Sequence, residues 1–471
     1  MLDSARMYSF LILLAVAWGA LAFGAVYPWA YRPLLALVML LGVWGLVVPG
    51  RYGQRSTNKP IAVACGLLIL AVLVQLVPLP HDLLAAVSPA ADRYLRGHQI
   101  GYAILVSAGQ SISHPLSIDP ARTWLGLALL VGLALFVLGV ARALDGVQIR
   151  QLASGLIVLG AVLAIVGITQ KVAYNGKIYW FWTPIATSFT PFGPFVNRNH
   201  FAGWMLMALP LGLGFFIGLV MRGMRGINSG WRSRIGWFAT ADASRIVLVA
   251  MGILVMTLSF VMTFSRSGIT CFMVALLLAG AVVVRRAIGR AQRAVIVVFL
   301  CALAVAAVWS VGLDPLALRF DFTDREVDMR LGAWRDALSV ARRYPVFGTG
   351  LDTYGVSMSA YQTYRVDTLH FAEAHDDYLQ LLAEGGVLLA VPAVVVIALF
   401  VREVRHRFRE RLDDLTGYWI RVGAVTGVVA IGLQELVDFS LQMPGNAALF
   451  ALLCAIAVRR ASGRASPRAA P

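Results

Sequence analysis

The sequence predicts an all-α polytopic membrane protein with about twelve transmembrane helices. Three observations carry that reading. The 471-residue chain is 59% hydrophobic and only 14% charged, against about 25% charged in soluble domains. Many apolar runs reach the roughly 20 residues that a helix needs to cross a bilayer core. Those runs are continuous rather than alternating, which excludes a transmembrane β-barrel.

Along the chain, the first spans are expected at 8–26, 33–49 and 60–79. The first holds Ala20-Leu21-Ala22, a loose match to a signal-peptidase site. The apolar run continues past it, so the helix is read as uncleaved. A loop over 80–121 follows, with HPLSIDP at 114–120, and then spans at 122–141 and 151–170. In the next loop, 171–199, Tyr179, Trp180, Phe181 and Trp182 have the composition of an interfacial belt. Spans at 200–221, 246–264, 268–284 and 294–312 lead to the largest hydrophilic segment, 313–385.

Within that segment, DMRLGAWRDALSVARR at 328–343 places Leu331, Trp334, Leu338 and Ala341 on one helical face. It reads as an amphipathic helix that lies on the membrane surface or caps the bundle. Pro345 stops it, and Gly348 and Gly350 supply a turn. Asp376 and Asp377 suit the first turn of the next helix, and Gly385-Gly386 marks a break before the span at 386–401. Spans at 417–434 and 445–458 complete the set, followed by a polar tail at 459–471. Pro210 and Pro392 fall inside spans, where kinks are expected. The four cysteines, Cys65, Cys271, Cys301 and Cys454, all sit in apolar runs and read as small core residues rather than a disulfide framework or zinc site.

The net charge of +16 is explained by where the charges fall. With the N-terminus inside, every short inside connection is basic, from Arg51 and Arg55 to Arg402, Arg405 and Arg459. This is the positive-inside pattern. The basic balance is therefore topogenic and not a nucleic-acid footprint. Six of the seven histidines fall outside, all but His406. The outside face thus carries most of the candidate chemistry.

Three outside motifs stand out. PFVNRNH at 194–200 sets Arg198 at a helix start, flanked by Asn197, Asn199 and His200. It reads either as an arginine snorkelling to headgroups beside helix-capping asparagines, or as an anion site built from a guanidinium and a helix N-terminus. TFSRSG at 263–268 holds Arg266 in a short outside turn, against the usual charge bias. FAEAHDDYLQLLAEGG at 371–386 carries His375, a helix-start histidine or a general base. For the base, Glu373, Asp376 or Asp377 would orient the imidazole or raise its pKa. A divalent-metal reading of His375-Asp376-Asp377, or of Asp321 with Asp324, lacks a spacing that brings three ligands together. Arg198, Arg266 and His375 all fall at one membrane–water boundary. Two arginines there could hold a diphosphate, neutralise it as it leaves, and stand beside a histidine that deprotonates a hydroxyl.

At this point the sequence resembles the O-antigen ligase / O-antigen polymerase-like superfamily of bacterial membrane glycosyltransferases. The resemblance spans roughly 190–440 and rests on PFVNRNHFAGWM, SRSG, RLGAWRDALSVARRYPVFGTGLDTYG and HDDYLQLLAEGG. It implies a GT-C-like bundle with a large periplasmic loop at 313–385. It also implies an N-terminal set of helices over 1–190, a ligase-like membrane domain over 191–458, and a cytoplasmic tail. Residence in the inner membrane, cytoplasmic termini and a site facing the periplasm follow from it. The implied reaction is metal-independent, inverting and without cofactor. It moves a glycan from an undecaprenyl-diphosphate carrier to a glycan or lipid A-core acceptor. Carried over by motif, Arg198 and Arg266 would bind the diphosphate, with Arg335 a further candidate, and His375 would activate the acceptor. Asn197, Asn199, His200, Asp376 and Glu384 would support them. One departure is Asp376, where the family often has Asn; this carboxylate would make His375 more basic or repel the donor.

Ligation and repeat-unit polymerisation share this chemistry, and these motifs do not separate them. A transporter or flippase of lipid-linked glycans is the reading from another class. It calls for ionisable residues deep in the spans, whereas here the charges cluster at span ends, with Glu435 and Asp438 near one of them.

Overall fold

The computed structural model describes residues 2–47, 58–184, 190–223, 240–285, 323–366, 370–410 and 414–460. The expected span at 294–312, Asp321 and the tail from 461 lie outside these residues. In chain order the helices are α1 (Leu2–Leu21), α2 (Pro28–Val47), α3 (Lys59–Gln75), α4 (His81–Val87), α5 (Pro89–His98), α6 (Ile100–Ser107), α7 (Pro120–Ala143) and α8 (Gly146–Val172). They continue as α9 (Arg198–Gly223), α10 (Ala241–Met262), α11 (Arg266–Arg285), α12 (Thr323–Arg343), α13 (Tyr354–Tyr361), α14 (Asp377–Arg409), α15 (Leu415–Gln434) and α16 (Pro444–Val458). Seven of these, α2, α7, α8, α9, α10, α14 and α15, are long and apolar enough to cross a membrane. Shorter apolar stretches fall in α1, α3, α11 and α16. The protein is thus an all-α polytopic membrane protein, and eleven of the twelve expected spans coincide with helices.

Helix α9 is the axis of the bundle. Its apolar stretch is 89% buried within the protein, against 11% for α14, which lies at the periphery. Close approach is made possible by glycines: a Cβ on Gly214 would stand 2.2 Å from the Trp419 carbonyl of α15, and one on Gly139 of α7 would stand 2.0 Å from the Gly42 carbonyl of α2. Small residues at helix contacts are the usual device in lipid, where apolar burial gives no drive for helix association. At the α1–α2 turn, Phe23, Tyr27 and Trp29 pack against Tyr179 and Trp182 of the belt segment.

Outside the bundle, two loops distant in sequence fold as one cap. Leu84, Tyr94, Leu95 and Ile118 share a core with Ala337, Val340, Tyr344 and Tyr354. The Tyr344 hydroxyl donates to the Ala90 carbonyl at 3.0 Å. A two-stranded ribbon, β1 (Pro78–Pro80) and β2 (Ser113–Pro115), closes the base of the first loop. Helix α12 belongs to this cap through Ala333, Ala337, Val340 and Ala341; of the expected apolar face, Leu331 and Leu338 are exposed, because small residues rather than leucines meet the neighbouring helices.

The cap is joined to the bundle at a break in α14. Gly386 has φ 54° and ψ −156°, so the helix stops and restarts there. A helix end leaves carbonyls unpaired and a helix start leaves N–H groups unpaired. The 345–350 turn supplies both kinds of partner. Thr349 and Gly350 N–H donate to Ala383 and Glu384 O at 3.1 and 2.9 Å, while Val387 and Leu388 N–H donate to Pro345 and Val346 O, both at 2.9 Å. Gly348 has φ 68°, and a Cβ there would lie 2.1 Å from the Glu384 backbone, so only glycine fits. The fully buried Gln75 side chain ties the splice to α3. Its Nε2 donates to Phe347 O at 2.7 Å and Glu384 O at 2.8 Å, and its Oε1 accepts from Leu351 N–H at 3.1 Å.

Gln75→Leu keeps the volume of this side chain and removes its three hydrogen bonds. Unpaired buried polar groups cost about 1–3 kcal/mol each. The variant is expected to melt several degrees lower than wild type and to become cleavable by protease in the 345–354 turn. Unchanged melting and protease resistance would show that the splice does not need Gln75.

Candidate functional site

The candidate site forms where three helices begin. Each start carries a polar cap. Asn197 Oδ1 accepts from Asn199 N–H at 2.9 Å beside the start of α9, the Ser265 Oγ accepts from Gly268 N–H at 3.4 Å in the first turn of α11, and the Asp376 Oδ1 accepts from Tyr378 and Leu379 N–H, both at 3.0 Å, at the start of α14. Arg198 and Arg266 are the first residues of α9 and α11. Those first turns pack together, since a Cβ on Gly268 would lie 3.2 Å from the Ala202 Cβ. Helix starts carry partial positive charge and unpaired N–H groups. Two of them, each led by an arginine, make a strongly electropositive corner.

The connection between α15 and α16 closes that corner with acids and an aromatic ring. Asp438 is 1% exposed. Its Oδ1 accepts from Phe439 N–H at 2.9 Å, and its carboxylate faces Arg330 and the polar side chains of Asn199 and Ser267. It therefore sits between the starts of α9 and α11. Burial pushes its carboxyl above the usual range, against the pull of Arg330 and these polar neighbours. Phe439 follows, with the His200 ring edge-on at 4.8 Å on one side and the His375 ring edge-on at 4.8 Å on the other. Glu435 and Asp377 lie side by side, and burial with the nearby Asp377 charge raises Glu435 well above its ordinary value. Gln442 Nε2 donates to Asp377 Oδ1 at 2.6 Å.

His375 stands in the left-handed region, φ 55°, which a non-glycine residue adopts only when its surroundings impose it. The Asp376 cap on one side and a Trp334 Nε1 bond to the His375 carbonyl at 3.4 Å impose it here. Burial, and then the Arg330 charge, lower the imidazole to about 4. This corrects the expectation that a neighbouring carboxylate raises it. The three carboxylates point elsewhere: Asp376 to its own helix, Asp377 to Gln442 and Glu435, and Glu373 into the field of Asp377, Asp352 and Arg122. The same divergence separates the ligands in the metal reading of 375–377. Burial first, then Asp377 and Asp352, raise Glu373 to about 7, and burial raises Asp352 to about 6.

The other expected site residues fall as follows. His200 is 5% exposed and packs inside the bundle. Glu384 is scaffold, its carboxylate accepting from Asp352 N–H at 2.9 Å, Tyr354 N–H at 3.0 Å and Gln380 Nε2 at 3.1 Å. Arg335 is exposed on α12 and turned to solvent. Five residues earlier, Arg330 is half-buried and is the arginine of α12 that faces His375 and Asp438. Sequence reasoning missed Arg330, Asp438, Phe439 and the Asp377–Glu435 pair. The available signal was the run QELVDFSLQ at 434–442, two carboxylates at the end of an apolar span, where an acid is costly unless it has work to do.

A family model described as O-antigen ligase matches residues 251–394. It covers Arg266, Arg330, His375 and Asp376, while Arg198 and Asp438 lie outside it. No curated protein matches the chain. The family match supports the O-antigen ligase-like superfamily. In general terms it supports a ligase-like or polymerase-like glycosyltransferase that works in a membrane on lipid-linked glycan.

Two measurements check this geometry. In NMR of histidine-labelled protein, the His375 imidazole is expected to titrate near pH 4. In Arg330→Gln it should move up but stay below the unperturbed 6.5, since burial, the larger cause, remains; an unshifted value in that variant would remove Arg330 from its surroundings. By thermal melting, Asp376→Asn should match wild type, since both residues cap helices well, while Asp376→Ala should lose about 1 kcal/mol.

Proposed function

We propose that this protein moves a glycan from an undecaprenyl-diphosphate carrier to an acceptor hydroxyl at the periplasmic face of the bacterial inner membrane. The observation that carries the reading is the pair of arginine-led helix starts, α9 and α11, packed together beside the buried imidazole region of His375. A diphosphate suits such a corner, because each guanidinium gives paired charge-assisted hydrogen bonds and the helix starts add N–H donors. Arg198 and Arg266 hold the donor diphosphate, and Arg330 adds a third positive charge. His375 takes the proton of the acceptor hydroxyl. The oxygen attacks the anomeric carbon from the face opposite the diphosphate, the carbon–oxygen bond to the diphosphate breaks, and configuration inverts. The departing charge is neutralised by arginines, so no metal is called for.

A low imidazole pKa keeps His375 unprotonated across the neutral range, available but weakly basic. Its weakness comes partly from Arg330. A bound diphosphate offsets that charge and raises the basicity of the imidazole, so the base strengthens when donor is present. Transfer to a lipid A core and transfer to a growing polysaccharide use this same step and differ in what carries the receiving sugar.

With purified protein and lipid-linked donor, His375→Ala should abolish transfer and leave donor binding intact; transfer at the wild-type rate would sink the base assignment. Arg198→Ala and Arg266→Ala should each weaken donor binding or lower kcat by roughly 10²-fold or more. Chelator should leave the rate unchanged. The acid limb of kcat/KM should fall near pH 4, since protonation of the free-enzyme imidazole stops catalysis below that value, and the limb of kcat should lie at higher pH. In cells, deletion that leaves full-length polymer on its carrier marks a ligase, and deletion that leaves single repeat units marks a polymerase.

A further inference from the structure

The end of the bundle away from His375 holds a second, separate feature. Helix α14 runs to Arg409, and over its last turns its two faces differ sharply. The inner face carries Arg407, 2% exposed, which forms ion pairs with both acids of this stretch, Glu403 and Glu410. Its Nε also donates to the Val458 carbonyl at 3.1 Å. The outer face carries Arg402, Arg405 and Arg409, all exposed, and no ion pair reaches them among the described residues. The nearest acid contact on this side is Glu410, 3.7 Å from His406. Ala398, Val401, Arg402, Arg405, His406 and Arg409 flank an open groove of about 340 Å³ along this one helix face. Above it the same helix exposes valines, including Val391 and Val394, 56% and 64% exposed.

A helix C-terminus and membrane topology both favour basic residues at such an end. Neither explains why both acids pair with Arg407 and leave an open groove flanked by three arginines below an apolar strip. Arg402 and Arg409 are two turns apart, about 10 Å along the axis. We propose that this outer face binds the phosphate headgroup of an anionic phospholipid of the surrounding bilayer, with an acyl chain along the valine strip. The guanidinium groups give paired bonds to phosphate oxygens, and the apolar strip restricts the ligand to one that carries a hydrocarbon tail.

The test uses the purified full chain in neutral detergent, titrated with dioleoyl phosphatidylglycerol, dioleoyl phosphatidylcholine or inorganic phosphate, with bound lipid counted by native mass spectrometry. Phosphatidylglycerol should bind saturably and about tenfold or more tighter than phosphatidylcholine, and inorganic phosphate should not displace it. The variant Arg402→Gln/Arg405→Gln/Arg409→Gln should lose the preference, while Arg93→Gln/Arg342→Gln, changed in the cap, should keep it. Equal binding of the two lipids by wild type, displacement by inorganic phosphate at matched concentration, or an undiminished preference in the triple variant overturns the proposal. If the triple variant does not accumulate, Arg405→Gln alone carries the test, with a loss of about fivefold expected and no loss counting against it.

Discussion

The architecture depends on one reciprocal set of backbone hydrogen bonds, those between the 345–350 turn and the break in α14 at Gly386. An interrupted helix at the edge of a membrane bundle exposes carbonyls on one side of the gap and N–H groups on the other, and lipid offers no partner for either. The turn answers both with its own N–H and carbonyl groups, and Gln75 adds a third anchor from α3. Two features of the upper part of the molecule build on this joint. Glu384, at the end of the upper half-helix, caps the start of α13. The upper half-helix itself begins at the Asp376 cap, which fixes the backbone of His375.

Electrostatics decides how the corner near His375 is organised. Helix starts and arginines repel one another, and a buried carboxylate alone is costly. Asp438 answers both problems in part, since it sits beside the first turns of α9 and α11, faces Arg330 and accepts from Phe439 N–H. Burial, reinforced by the same arginine, lowers the pKa of the His375 imidazole. The acid, the arginine and the imidazole therefore form one coupled set, and a change in any of them shifts the others.

Much of this was legible in the chain. The spans were readable from apolar runs, the turn from Pro345, Gly348 and Gly350, and the helix break from Gly385-Gly386. Asp376 was readable as a first-turn acid, and its role as cap explains why Asp and Asn are physically equivalent there. What escaped was set by contacts between distant segments. Arg330 and Arg335 lie five residues apart, on clearly different sides of α12, but the face that meets His375 depends on how the cap docks. That docking rests on a core shared by 84–118 and 333–383, which no local pattern reveals. Asp438 and Phe439 sit in a short connection whose importance comes only from folding back onto the start of α9.

A helix divided in this way is also a mechanical joint. Bilayers differ in thickness, and spanning helices adapt mainly by tilting. The half of α14 below Gly386 is largely unburied within the protein, whereas the half above it is bonded to the cap through Glu384 and to the α15–α16 connection through Asp377. Below the bonds that Val387 and Leu388 make to the 345–350 turn, the lower half is left to adjust to the bilayer. The position of His375 is thus referenced to the cap and to the α15–α16 connection, where Phe439 packs on it, rather than to the lipid-facing half of its own helix.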